Sequence, residues 1–528
     1  MMGEESRGRS TNWQFERESW TDFYENQLQR QLAQALSFIR SQTESLQLKE
    51  HFDSFLVLLR RARSHSNLHI AYINLLTALH PWPLRWGEWD AWELELQQAI
   101  PVLAAHQHIA QQAELMTYLA EIQFRTGRLE TAVQTSHNAA NIAWKSGEVT
   151  AWAAATSRGI YALNRLGRND EARQLLAHGE AQLTENAIEA PQLSHLEASG
   201  HLLLRRMVFM RYDGIPGEAA RRAQMLITTL SNYSQVDKRL LATLYTDQAT
   251  MLWAADQYDT AVSSLKKAIG IYTELGDTYE AITTRGNLGI VYWSMARLGE
   301  AETAIRDSLQ LAETFHARLR IMNEMGNLCA ISFSRGKLVQ ALSFTERHLA
   351  LAQEADDAAE INRAYGNRAM ALLYLGDYEA ALPLLEESLD RLHTLGLLQQ
   401  LAQTYAHLSC CLDGLGRREE AITAVAQAEN LIQNIESPSI QVLILRCRAR
   451  LTPLQEATNL VKQALALARR HSQRLDEGIC LLRLALLSSG LHQAQFWEEG
   501  SAIINEIGAE AWLDGRSLQN PPTLATIL

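Results

Sequence analysis

Asn287, Asn327 and Asn367 stand 40 residues apart, in the segments GNL, GNL and GNR. An amide side chain offers one acceptor and two donors, so a row of them can hydrogen-bond successive peptide groups of an extended chain. Asparagine is a mediocre helix former, and propensity alone does not call for it. The same register, nine residues before a recurring turn, reads Tyr118, Arg158, Arg205, Asp247, then the three asparagines, then His407. That column is polar where a buried register would be apolar. Gly286, Gly326 and Gly366 precede the asparagines, and each costs a helix about 1 kcal/mol relative to alanine. Three at one register imply a close approach to the backbone, by a ligand or by the neighbouring helix. The plainer alternative is that the asparagines are structural.

The early part of the column is basic. Arg125 and Arg165, two residues before their turns, lie near Arg158 and Arg205 on the same expected face. Arginine forks bind carboxylates through two parallel bonds, which makes an acidic segment the natural guest. The competing reading pairs these arginines with Glu114, Glu121 or Glu130.

Other chemistry is poorly represented. His65 and His69 have a metal-type i, i+4 spacing, but no HExxH motif or third ligand accompanies them. No G-x-S-x-G elbow, glycine-rich phosphate loop or Cys/His nucleophile signature occurs. Cys329, Cys410, Cys411, Cys447 and Cys480 show neither a paired framework nor metal spacing. They read as reduced thiols in a cytosol. No metal and no cofactor are expected. The formal net charge of −12 argues against nucleic acid and anionic membranes as partners. No apolar run reaches 18 residues, and the opening MMGEESRGRSTN lacks the apolar core of a signal peptide. A cytoplasmic location is expected.

These residues need a scaffold that repeats every 40. Turns fall at Gly127, Gly167, Gly214, Asp256, Ala296, Gly336, Gly376 and Gly416, and an alanine follows each by five: Ala132, Ala172, Ala219, Ala261, Ala301, Ala341, Ala381 and Ala421. Six of the seven spacings are 40 or 42, and one is 47. A period of this size belongs to a solenoid of one supersecondary unit. In INRAYGNRAMALLYLGDYEAALPLLEESLDRLHTLG, apolar residues recur at helical spacing on both sides of Gly376. Glycine ends the first helix in a left-handed conformation, and the alanine stays small where two helices cross. Helices of roughly 15 and 18 residues are expected, about 23 and 27 Å long.

TGRLETA, LGRNDEA, RGKLVQA, LGDYEAA and LGRREEA resemble the tetratricopeptide repeat across about residues 82–435. The 40-residue period, against the family's usual 34, resembles kinesin-light-chain-like arrays. The resemblance implies an all-α fold, a right-handed α-solenoid superhelix with helical caps, and places the polar column on a concave groove. Asparagine ladders line such grooves elsewhere in the family and hold peptides by their backbones. The layout is also similar to the tetratricopeptide sensor halves of bacterial signalling ATPases and regulators, through WGEWDAW near the start and IGAEAW near the end. No nucleotide-binding G-x-x-x-x-G-K-[ST] segment is present.

The expected organisation is a loose tail at 1–18 and a helical cap at 19–80. An array of about nine repeats follows at 81–435, then degenerate helical repeats and a cap at 436–515, and a tail at 516–528. Trp82, Trp86, Trp89 and Trp92 surround a first, decayed turn at Gly87 and read as an end cap. INEIGAEAWLDG reads as the final helix. The expected function is a non-catalytic scaffold or regulatory subunit holding a protein partner or peptide segment in its groove, with an acidic segment favoured. A receptor for a short signalling peptide is the alternative, and an enzyme with an unrecognised site the least favoured reading.

Overall fold

The structure, a computed structural model, describes residues 5–41, 45–185, 192–355, 357–395, 398–433 and 437–513. Among them the chain is helical throughout, without a strand. It divides into two compact units, Met1–Thr284 and Arg285–Leu528.

Helix length follows from where the backbone turns left-handed. All eight turn positions have positive φ, including Asp256 and Ala296, both at 56°. A second set lies halfway between them: Gln107, Gly147, Gly276 and His316, with φ from 54° to 77°. A left-handed residue therefore recurs every 20 positions over two stretches, 87–167 and 256–336. Three-residue turns at that interval leave helices of 17 residues on both sides, as in Ile109–Arg125, Leu129–Lys145, Leu298–Thr314 and Arg318–Ser334. The expected division into a shorter first and a longer second helix is thus replaced by equal arms of about 25 Å. The spacing of 47 accompanies a longer helix, Gln192–Tyr212, of 21 residues.

The eight register alanines have 0 % of their surface exposed. That burial is what the expected close helix crossings require of a small side chain. In unit 1 the core continues through Ile160, Leu163, Ala172 and Leu176. At its N-terminal end Phe52 packs edge-on to Trp86, ring centroids 5.8 Å apart, and lies 6.2 Å from Trp92. The first helix begins at Glu5, inside the stretch expected to be a loose tail; the other expected tail, 516–528, lies outside the described residues.

Unit 2 ends in helices Pro438–Arg450, Leu454–Arg470, Arg474–Leu487 and Gly490–Glu506. The INEIGAEAWLDG stretch is not one helix. It breaks at Gly508, φ 75°, and continues as the 3-10 turn Glu510–Trp512. That turn folds back on the same unit: Trp512 lies 5.8 Å from the Phe333 ring and 5.5 Å from Tyr374. Arg335 Nε donates to the Gly508 carbonyl oxygen at 2.9 Å. No helix among the described residues is long and apolar enough to cross a membrane.

Candidate functional site

Unit 1 curls until its two ends meet. Arg85 Nη1 donates to the Leu275 carbonyl oxygen at 2.7 Å, across 190 residues. The Trp89 ring meets Tyr279 at 5.3 Å. Arg125 Nη2 donates to Glu280 Oε1 at 2.5 Å, with its guanidinium 4.5 Å from the Tyr279 ring centroid, a favourable place for a cation. Arg125 is also paired to Glu121, which lines a cavity of about 490 Å³.

The repeat side of its wall is built from the first helices of successive hairpins: Ile109–Arg125, Val149–Arg165, Gln192–Tyr212 and Lys238–Ala254. Thr77 and Leu84 of the N-terminal helices complete it. Three of the column residues, Tyr118, Arg158 and Arg205, share the cavity. Positions one helical turn earlier, Glu114, Ala154 and His201, line it too, as i, i+4 neighbours on one helix face must. A larger groove of about 740 Å³ runs over the second helices, beside His137 and His178, and gathers no comparable set of charges.

The lining is mixed in charge, which corrects the expectation of a basic groove. Glu121 is ion-paired to both Arg125 and Arg158. Asp247 approaches Arg205 at 3.7 Å. Arg239, on the same wall, bonds Asp277 at 2.8 Å and lies 3.8 Å from Glu280. Asp277 also accepts from the Glu280 backbone N–H at 3.3 Å, capping its helix. Of the three carboxylates named as competing partners, Glu121 takes Arg125 and Arg158. Glu130 pairs instead with Arg168, and Glu114 with His80. Arg165 is exposed and stands off the cavity wall.

Burial sets the protonation here. It depresses the Arg158 pKa to about 9, with Arg205 adding to the effect, and the Glu121 carboxylate lies against the guanidinium. Burial works against charge on Arg239 as well, yet Asp277 and Glu280 hold it well above the usual arginine range. Burial pushes Asp247 up to about 6 against the pull of Arg205, and lowers His201 to about 4. Among the described residues Arg205 Nε is buried without a hydrogen-bond partner, although its guanidinium sits 4.5 Å from the Tyr161 ring centroid.

The asparagine part of the column belongs to unit 2. Asn327 is engaged at both ends of its amide. Nδ2 donates to Glu324 Oε2 at 3.1 Å, and Oδ1 accepts from Arg363 Nη1 at 3.4 Å. Asn287 and Asn367 are half-buried, and their side chains make no hydrogen bond among the described residues. The glycines are explained unevenly. A β-carbon at Gly286 would strike the Glu324 carboxylate, and one at Gly326 the Arg363 guanidinium, whereas Gly366 has open space around it. The neighbouring helix is therefore what approaches Gly286 and Gly326. His407 is buried, and burial beside Arg446 lowers its pKa to about 4.

Among the described residues no group of three or more His, Cys, Asp or Glu could hold a metal ion. His65 bonds Glu25 at 3.0 Å, and His69 stacks on His106 at 4.1 Å. Arg239, Asp277 and Glu280 lie outside the nine-before-turn register: Arg239 meets Asp277 one repeat on, and Glu280 meets Arg125 across 155 residues. His201 was within reach of it, four residues before Arg205 on the same helix face.

The tetratricopeptide-repeat profile matches residues 240–314 and 360–434. No curated protein matches the chain. Among solved structures, a Rap protein complexed with competence and sporulation factor is similar at TM-score 0.52 and 16 % identity, covering 69 % of this chain and 99 % of that one. The apo form of the quorum sensor NprR from B. thuringiensis matches at TM-score 0.46 and 13 % identity, over 67 % of this chain and 96 % of that one. A signal-transduction ATPase with numerous domains and a tetratricopeptide-repeat sensor, from Pyrococcus horikoshii, matches at 0.39 and 14 %, over 65 % and 54 %.

Proposed function

We propose that this tetratricopeptide-repeat chain is a non-catalytic, cytoplasmic regulatory protein that holds an extended segment of a protein partner against its first helices. The observation that carries the reading is the 490 Å³ cavity of unit 1, whose inner wall collects Tyr118, Arg158 and Arg205 from three successive repeats. Its volume lies within the roughly 300–1,000 Å³ of small-ligand sites. The unpartnered Arg205 Nε is a donor that a carboxylate or peptide carbonyl of the guest would satisfy. The alternating charges favour a guest that carries both signs over a uniformly acidic one. In unit 2, Asn287 and Asn367 have amides free for a peptide backbone, while that of Asn327 is already occupied.

A second reading, a receptor for a short diffusible peptide, draws support from the cavity's volume, which suits a small ligand. The similar Rap structure, complexed with competence and sporulation factor, agrees with that reading at the level of fold.

Full-length chain captured from its native extract, followed by mass spectrometry of what elutes, separates the two readings: a stoichiometric protein supports the first and a peptide the second. Binding of the identified guest is then compared in Arg205→Gln and Arg165→Gln. The wall residue should cost at least tenfold in affinity, about 1.4 kcal/mol, and the off-wall residue nothing. Equal effects would remove the cavity from the mechanism.

A further inference from the structure

Two of the five thiols are neighbours. Cys410 lies on helix Leu398–Gly414 and Cys447 on Pro438–Arg450, the first helices of consecutive hairpins. Their sulfurs are 3.1 Å apart, both side chains are buried, and both are free thiols. A disulfide needs about 2.05 Å between sulfurs, so an approach of about 1 Å separates the pair from a bond. Both sulfurs belong to the apolar core of unit 2, and two ion-paired arginines stand at its edge. Arg450 bonds Asp413 at 3.0 Å, and Arg446 bonds Asp476 at 2.6 Å while its Nε and Nη2 stay buried without hydrogen bonds among the described residues. The positive charges of Arg450 and Arg446 act on Cys410 in the direction that favours a thiolate.

We propose that Cys410 and Cys447 form a reversible dithiol that a peroxide closes to an intramolecular disulfide, stapling the first helices of two consecutive repeats. Cys410 is the attacking sulfur. The Cys447 thiol beside it, together with Arg450 and Arg446, holds it below the usual thiol range, whereas Cys447 is pushed well above. The other three thiols are buried and pushed up to about 12. The Cys410 thiolate attacks one peroxide oxygen, the O–O bond breaks, and hydroxide leaves as water after taking up a proton. Cys410 is then a sulfenic acid. Cys447 attacks its sulfur, the S–O bond breaks, and the departing hydroxide takes the Cys447 proton as a second water. Two thiols lose two electrons, and hydrogen peroxide gains them. This inference stands apart from the peptide-binding reading.

The test uses the reduced full-length chain and a few equivalents of hydrogen peroxide, with alkylation in denaturant and peptide mass spectrometry. A parallel sample is equilibrated in glutathione redox buffers from both the reduced and the oxidised side, which removes dependence on peroxide access. Free thiols should fall from five to three, with one linked peptide joining Cys410 to Cys447 that dithiothreitol reverses. Cys447→Ala should instead leave a sulfenic acid on Cys410 that dimedone traps. Five thiols persisting in both treatments would overturn the proposal, and so would oxidation falling on Cys329, Cys411 or Cys480. Neither result depends on a variant that must fold.

Discussion

The Trp512 indole Nε1 donates to the Ser334 carbonyl oxygen at 3.0 Å, 178 residues earlier in the chain. A β-carbon at Gly336 would lie 2.6 Å from the Trp512 backbone nitrogen, so the turn residue and the C-terminal turn fit only while position 336 is glycine. Trp512→Ala should destabilise unit 2 by about 3–5 kcal/mol through the cavity it leaves. Gly336→Ala adds the cost of a left-handed alanine, about 1–2 kcal/mol, to the clash. Denaturant melts with tryptophan fluorescence would check both; a wild-type midpoint in Gly336→Ala would mean that the turn does not seat against Trp512.

Overpacking at the helix crossings gives a second prediction. Ala341 and Ala381 are fully buried, and leucine at either position should cost about 1–3 kcal/mol. Circular dichroism melts of the single variants would measure it. Unchanged midpoints in both would place the crossings elsewhere.

The amide column should split by role. Asn327→Ala removes a donor from Glu324, whose carboxylate is buried and already pushed up by that burial against the donors Asn327 and Ser308. The expected cost is about 1–3 kcal/mol. Asn287→Ala and Asn367→Ala remove no internal bond and replace a mediocre helix former by the best one, so stability should hold or rise. Urea midpoints of the three single variants are the measurement, and a uniform loss would make the whole column structural.

His407 predicts a pH dependence. Its folded pKa, about 4, lies below the ordinary histidine value near 6.5. The unfolded chain therefore takes up the proton first as pH falls. The stability linked to this side chain is complete above pH 6.5 and is lost progressively toward pH 4, by about 3 kcal/mol in all. His407→Asn places at this position the residue that three other repeats carry and removes the titration. The gap between wild-type and variant stability should shift in the variant's favour by about 2 kcal/mol between pH 7.5 and pH 5. A gap that does not change with pH would mean that His407 charges freely in the fold.

The local parts of this architecture were legible in the residues. A positive φ at Asp256 and Ala296 was deducible because their neighbours in phase were glycines, and the alanine register predicted eight contacts of one kind. The intervening turns were not legible. Gln107 and His316 hold the same left-handed conformation as Gly147 and Gly276, and no shared residue type announces them. The mixed charge of the cavity was legible only in part: Glu121 pairs with Arg125 and Arg158 as the competing reading has it, but the distant contacts were hidden. Arg125 meets Glu280 across 155 residues, and no short-range pattern encodes which distant turn a curling array will reach. The thiol pair lies between these cases: Cys410 and Cys447 are 37 apart, close enough to one period for stacked repeats to bring them together, yet unlike any disulfide or metal spacing.

Equal helices joined by equal turns give the chain a reading frame. Removing 40 residues from the regular part of the array deletes one hairpin and leaves every later helix on its own side. Removing 20 would exchange inward and outward roles for all that follows, sending register alanines to the wrong partners and cavity residues to the outer surface. Natural length variants of this chain should therefore differ by even numbers of helices, although each helix is geometrically interchangeable with the next.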